Sequence, residues 1–305
     1  MTPDVSIVVE WENVLHAGAQ MSDAVLARLA QEANASPRRI EVLVCHDGDT
    51  PPSVPSPAAG GAPSWRTVRV PDSRYYEQKN HGAGEAAGGI LVFLDSDAIP
   101  EPGWLEALLA PFADPAIEVV AGQTHIQADS VYSKAFALWW FFPLRAPTEP
   151  LQPTRHFFAN NVAFRRPTFL AHRFIPIRGT SRGACLELAA NLHLAGITIW
   201  QASAARAAHP APRGWRHFIL RALAQGRDRL PRERGWRATV AGSAARLARH
   251  IGAGCVRTLR DRRHVAMPLA GVPPAMALCC AYYSLYFAGE VAALSGMNAV
   301  RRIRV

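Results

Sequence analysis

An α/β fold built around a partly parallel sheet is what the sequence predicts. Short strand-like runs recur at residues 5–9, 40–45, 66–70, 90–94 and 117–121, with the length and composition of buried strands. Helix-patterned segments separate several of them, the alternation that accompanies parallel strands. Two of the runs lead into aspartate pairs, Asp47-Gly-Asp49 and Asp95-Ser-Asp97. In an open α/β sheet the carboxyl ends of strands are where ligands gather.

The elements follow in order. Residues 21–34 read as a helix with Ser22 as its N-cap, and residues 102–112 as another. Between them residues 51–63 are Pro, Ser, Gly and Ala except for Val54, the composition of a loop. Beyond Gly122 the alternation weakens, and the aromatic run Trp139-Trp140-Phe141-Phe142 reads as core. A helix near residues 186–194 and a strand at 197–200 close this half. From Gly214 the character changes to Ala/Arg helices and then to LAGVPPAMALCCAYYSLYFAG, residues 269–289, which carries no charge. That run reaches the length of a bilayer span, but Pro273-Pro274 and the nearby Glu290 leave a span, an interfacial helix, a short hairpin and a buried helix all open. Arg260, Arg262 and Arg263 on one side and Arg301, Arg302 and Arg304 on the other would anchor its ends. The expected organisation is a catalytic domain over residues 1–213 and a membrane-associating helical extension over 214–305.

Half of the 305 residues are apolar, enough for a sizeable core and unlike a disordered or fibrous chain. The net charge of +9 is uneven: residues 206–263 hold fifteen arginines against Asp228, Glu233 and Asp261. Only Lys79 and Lys134 are lysines, so the positive charge is guanidinium, suited to bidentate phosphate contacts. Five cysteines in no C-x-x-C or metal-ligand spacing indicate neither a disulfide framework nor a zinc site, and fit a reducing compartment. Residues 1–4 lead straight into a strand pattern, so no signal peptide is expected. The soluble part is expected in the cytoplasm, associated with the inner face of the cell membrane.

Two carboxylates one residue apart repel unless a cation or hydrogen-bond donors hold them, and hard oxygen ligands suit Mg²⁺ or Mn²⁺. A lone D-x-D is also a common turn or helix cap. The ordered series is more specific. VSIVVEWENV, VLVCHDGDT, KNHGAGEAAGGILVFLDSD, FFANNVAFRRPTF and RGTSRGACLELAANLHLAGITIWQASAARAAHP, spread over residues 4–212, together resemble the inverting family 2 glycosyltransferases, whose nucleotide-diphospho-sugar binding fold is called GT-A.

The resemblance implies roles position by position. Asp47 would read the edge of the nucleotide base, and Glu10 would line the same pocket. Asn80, with Lys79 or Arg74, would lie among the nucleotide contacts. Asp95 would face the ribose and the metal, Asp97 would ligate the metal, and His209 would join the metal or the diphosphate. A structural role for that histidine is equally open. Such a site displaces a nucleoside diphosphate from the anomeric carbon, with Mn²⁺ or Mg²⁺ and arginines stabilising the departing charge. The partners implied are a nucleotide-diphosphate sugar and an acceptor glycan or lipid.

The chain departs from the family where its catalytic base is expected. Ala184 and Cys185 occupy that Glu-Asp pair, and a thiol of ordinary pKa, about 8.5, makes a poor base at neutral pH. Glu187 is the replacement expected. An acceptor that is already ionised, such as a lipid phosphate, would need no base. A non-catalytic relative that binds a nucleotide or a partner at the membrane is the alternative. Dinucleotide binding through Gly82-x-Gly84-x-x-Ala87 is excluded because these glycines precede a strand instead of following one. Nucleic-acid binding is not expected, since no known module accompanies the arginines.

Overall fold

The structure, a computed structural model, describes residues 2–55, 63–177, 180, 182–297 and 303. Strands are β1 (Val5–Glu10), β2 (Ile40–His46), β3 (Ser64–Arg69), β4 (Ile90–Asp95), β5 (Ile99–Pro100), β6 (Val119–Ile126), β7 (Gln152–Thr154), β8 (Asn161–Arg165) and β9 (Ile199–His209). Helices are α1 (Val14–Ala17), α2 (Ala19–Ala35), α3 (Tyr75–Glu85), α4 (Trp104–Leu109), α5 (Val131–Trp139), α6 (Arg166–Ala171), α7 (Ala184–Leu194), α8 (Gly214–Arg229), α9 (Val240–Asp261) and α10 (Val272–Leu294). Contacts divide the chain into two compact units. One comprises Met1–Thr124, Arg145–Pro176 and Ala184–His209, the other His125–Leu144, Ile177–Gly183 and Pro210–Val305.

The first unit is organised by a sheet of order β3-β2-β1-β4-β8-β6-β9-β5, with β7 beside β9. Strands β3, β2, β1 and β4 are mutually parallel, whereas β8 runs antiparallel to β4 and β6. The predicted α/β fold is therefore the observed one. The central parallel strands β1, β2 and β4 are short, buried and largely apolar, as strands covered on both faces are. Side chains alternate across β1: Val5, Ile7 and Val9 meet Val25 and Leu29 of α2 and Trp104 of α4 on one face, while Val8 meets the other core, where Phe93, Phe164 and Phe169 gather. Gly82 lets α3 lie close to the sheet, since a Cβ there would stand 2.6 Å from Cys45 Sγ and from Val8 Cγ1. Its glycine is thus a packing requirement. Helix α2 begins two residues before the expected start, after Gly18 at φ 86°, and Ser22 is buried within its first turns instead of capping it.

The second unit is helical. Helix α10 packs on α8, α9 and α5, and two glycines bring it against α8: a Cβ on Gly226 would strike the Tyr286 carbonyl, and one on Gly289 the Leu223 carbonyl. Three of the four residues of the aromatic run form core here, as expected, while Phe141 is exposed. Trp139 and Trp140 are buried, Trp140 donates to the Tyr282 hydroxyl at 3.0 Å, and Tyr283 donates to the Trp139 carbonyl at 2.9 Å. Among the described residues, Leu269–Leu294 is the one helix long and apolar enough to cross a membrane, and 39% of its apolar window is buried in the protein. A bundle's central helix satisfies the same length and composition. Arg301, Arg302 and Arg304, and residues 56–62 of the expected loop, lie outside the described residues.

Candidate active site

Parallel pairing sets the site. Glu10 stands in register with Cys45 of β2 on one side and Asp95 of β4 on the other, so the segments leaving β1, β2 and β4 emerge along one edge. Those segments carry Asn13, Asp47 and Asp97. A further strand closes the edge: Ile99 of β5 pairs with Ala208 of β9, which sets His209 against the Asp95-Ser96-Asp97 turn. His209 Nε2 lies 3.4 Å from Asp97 Oδ2.

The two aspartates are held together by an amide. Asn13 Nδ2 donates to Asp95 Oδ2 at 3.1 Å and to Asp97 Oδ1 at 3.2 Å. Asp95 also accepts from the Tyr75 hydroxyl at 2.7 Å and pairs with Lys79 Nζ at 2.8 Å. All these groups are buried, so the donors offset a repulsion that would otherwise act in a weakly screened interior.

The glutamates of the first strand's end serve the backbone. Glu10 is fully buried, and its Oε2 accepts from the Glu12 and Asn13 amides at 2.7 and 3.2 Å while Oε1 accepts from Ser96 at 3.3 Å. One carboxylate thereby shapes both loops that carry the site. Glu12 accepts the Tyr75 amide at 2.6 Å, which caps the N-terminus of α3 with a negative charge where the helix dipole favours it.

The other expected residues divide clearly. Lys79 is fully buried beneath Asp95, and its ammonium also lies 4.7 Å from the Tyr75 ring. The Asn80 amide is engaged at both ends by the Phe174 backbone, donating at 2.8 Å and accepting at 3.2 Å. Asp47 is exposed just past β2, Arg74 is half-buried at the start of α3, and Glu187 is exposed in the first turn of α7. The motif residues Asn161 and Arg165 are internal ties: Asn161 links the Trp104 indole to the Ala205 carbonyl, and Arg165 donates to the carbonyls of Phe112, Asp114 and Ile117. Sequence reasoning did not assign Asn13 or Tyr75 to the site. The apolar spacing of their segments gave no sign of them, because each acquires its partner from about 20 or 80 residues away.

Among the described residues no three His, Cys, Asp or Glu side chains are preassembled as a cation cage. Asp97 and His209 nonetheless offer an oxygen and a nitrogen donor side by side. That pair suits a hard or borderline divalent ion that takes its remaining ligands from a bound phosphate.

A mainly parallel sheet with acidic loops on its carboxyl edge, closed by antiparallel strands, is the GT-A fold. The family model for glycosyl transferase family 2 matches residues 19–174, and the chain belongs to that family. Its sequence is similar to the pre-mycofactocin glycosyltransferases of two Mycobacterium tuberculosis strains, CDC 1551 / Oshkosh and ATCC 25618 / H37Rv. With each it is 33% identical over 85 residues, which is 28% of this chain and 18% of the relative. The matched region is therefore less than a fifth of those relatives' length. Its structure is similar to that of a mannosyltransferase from Pyrobaculum calidifontis solved with GDP-Man and Mn²⁺, with a TM-score of 0.56 and 15% identity, covering 97% of this chain and 88% of that one. At that identity the likeness establishes the fold.

Proposed function

We propose that this protein transfers a glycosyl group from a nucleotide-diphosphate sugar to an acceptor, with inversion at the anomeric carbon and with Mn²⁺ or Mg²⁺ held by Asp97 and His209. The observation that carries the reading is the Asp95, Asp97 and His209 constellation on the carboxyl edge of a family 2 sheet. The mannosyltransferase of the same fold, solved with GDP-Man and Mn²⁺, supports the choice of donor and cation classes. Bound there, the cation would neutralise charge developing on the departing diphosphate.

The chain's own groups do the rest. Asp47, exposed beyond β2, reads the base edge, and Arg74 faces the same edge from the start of α3. Asp95 accepts the ribose, while Lys79, Tyr75 and Asn13 fix its carboxylate in place. Glu10 and Asn80 act as positioning residues through the loops they tie. Glu187 takes the proton from a hydroxyl acceptor, and a phosphate-bearing lipid acceptor would dispense with it. Residues 1–213 supply this chemistry, and residues 214–305 associate with the inner face of the cell membrane. Trp215, Trp236 and Leu269, all more than 60% exposed, support that association.

The test is calorimetric titration with UDP and GDP, with and without Mn²⁺, on the wild type and on Asp97→Asn. Metal-dependent binding that the substitution abolishes is expected. A folded protein that binds neither nucleotide would overturn the reading.

A further inference from the structure

The second unit contains a cleft of about 80 Å³ between the end of α8, the connecting turns and the first half of α9. Four arginines line it, Arg229, Arg237, Arg246 and Arg249, with Glu233 and Trp236. Arg246 is its buried floor. That guanidinium donates through Nε to Glu290 at 2.8 Å, through Nη1 to the Arg237 carbonyl at 2.7 Å and through Nη2 to Ser243 Oγ at 3.0 Å, so its orientation is fixed. Arg229 in turn pairs with Glu233 at 2.6 Å.

Those pairings leave a surplus. The two carboxylates, Glu233 and Glu290, match Arg229 and Arg246. Arg237 and Arg249 line the same cleft with exposed side chains, and neither guanidinium has a hydrogen bond or salt bridge among the described residues. Two charges at the mouth of a concave site, over a third that is rigidly held, form a focused positive field. The neighbours register it: burial acts to raise the Glu233 pKa, yet the Arg229 hydrogen bond and the charges of Arg229, Arg246 and Arg237 hold it below the usual carboxylate range.

We propose that this cleft binds a phosphate group, carried either by an anionic lipid headgroup or by free phosphate. A phosphate dianion meets the charge surplus, and its oxygens suit the forked donors of two guanidiniums. Trp236, 63% exposed at the same cleft, has the amphipathic ring that settles at headgroup depth. This assignment is independent of the sugar-donor site, since every residue it uses belongs to the helical unit.

The full chain is tested with two probes. Vesicles of phosphatidylcholine with and without phosphatidic acid are read by co-sedimentation, and inorganic phosphate by thermal shift. Arg237→Gln/Arg249→Gln removes the two surplus charges. Arg216→Gln/Arg234→Gln removes two exposed arginines outside the cleft and serves as the charge-matched control. The cleft pair is expected to lower affinity about tenfold or more, as loss of charged hydrogen bonds does, with the control nearly unchanged. Loss on phosphatidic acid vesicles assigns the lipid as source, and loss in the phosphate arm alone assigns the free ion. An equal loss in the control would mean a diffuse basic face and would overturn the proposal. So would wild-type binding by the cleft pair, or no binding of either probe by the wild type.

Discussion

Lys79 Nζ lies 2.8 Å from Asp95 Oδ1, with the lysine side chain wholly buried and the aspartate 6% exposed. Replacing one partner of a buried pair strands the other, at a cost of about 3–5 kcal/mol. Lys79→Met is expected to lower stability by about 3 kcal/mol, the low end, because Tyr75 and Asn13 still donate to Asp95. Urea unfolding would measure it. A variant as stable as the wild type would show that the buried pair contributes nothing to the fold.

Asn13 answers a different problem, the proximity of two carboxylates. Asn13→Asp replaces the shared amide donor with a third negative charge, so the variant is expected to be less stable than the wild type without metal. Millimolar Mn²⁺ should then raise its melting temperature more than it raises the wild type's, since at a given concentration the fold that binds a ligand more tightly gains more stability from it. Equal increments in the two proteins would sink the idea that the amide stands in for a cation between Asp95 and Asp97.

The sheet was legible in the sequence because its inner strands are buried on both faces, which leaves short, mostly apolar runs. Strand β4 was expected over residues 90–94 and spans Ile90–Asp95. Strand β9 was less legible. Its sequence IWQASAARAAH is rich in alanine and poor in β-branched residues, so residues 197–200 were expected where Ile199–His209 is found. At the site, acidic residues at strand ends could be read as such, but their donors could not. The Asn13 amide reaches across 82 and 84 residues of chain, and Glu10 turned inward onto backbone amides, a choice made by the loop conformation and not by residue type.

Glycines in the helical unit should respond with opposite signs. Gly289 faces the Leu223 backbone, whereas Gly252 in α9 has nothing within 4 Å of a built Cβ. Alanine at either position gains helix propensity, about 1 kcal/mol. At Gly252 that gain stands alone, so Gly252→Ala should stabilise by about 0.5–1 kcal/mol. At Gly289 overpacking of about 1–3 kcal/mol opposes it and cannot relax, because the obstacle is backbone. Thermal denaturation of the two variants compares them directly, and a stabilising Gly289→Ala would show that α8 and α10 are not in close contact there.

His250 in α9 gives the helical unit a pH response. Burial, followed by the charges of Arg249, Arg229, Arg246 and Arg257, lowers its pKa from 6.5 to about 4. Its ring packs 4.7 Å from Tyr283 and 5.6 Å from Tyr286. A histidine with a depressed folded pKa is neutral in the fold and takes up its proton first in the unfolded chain. Its contribution is therefore complete above about pH 6.5, declines as pH falls, and levels off below about pH 4, where the folded state also protonates. His250→Phe keeps an aromatic ring beside both tyrosines and removes the titration. The difference in unfolding free energy between variant and wild type should therefore shift in the variant's favour as pH falls from about 6.5 to about 4. A difference that stays constant across that window would mean that His250 is as readily protonated in the fold as in the unfolded chain, and that the arginines around it are screened by solvent.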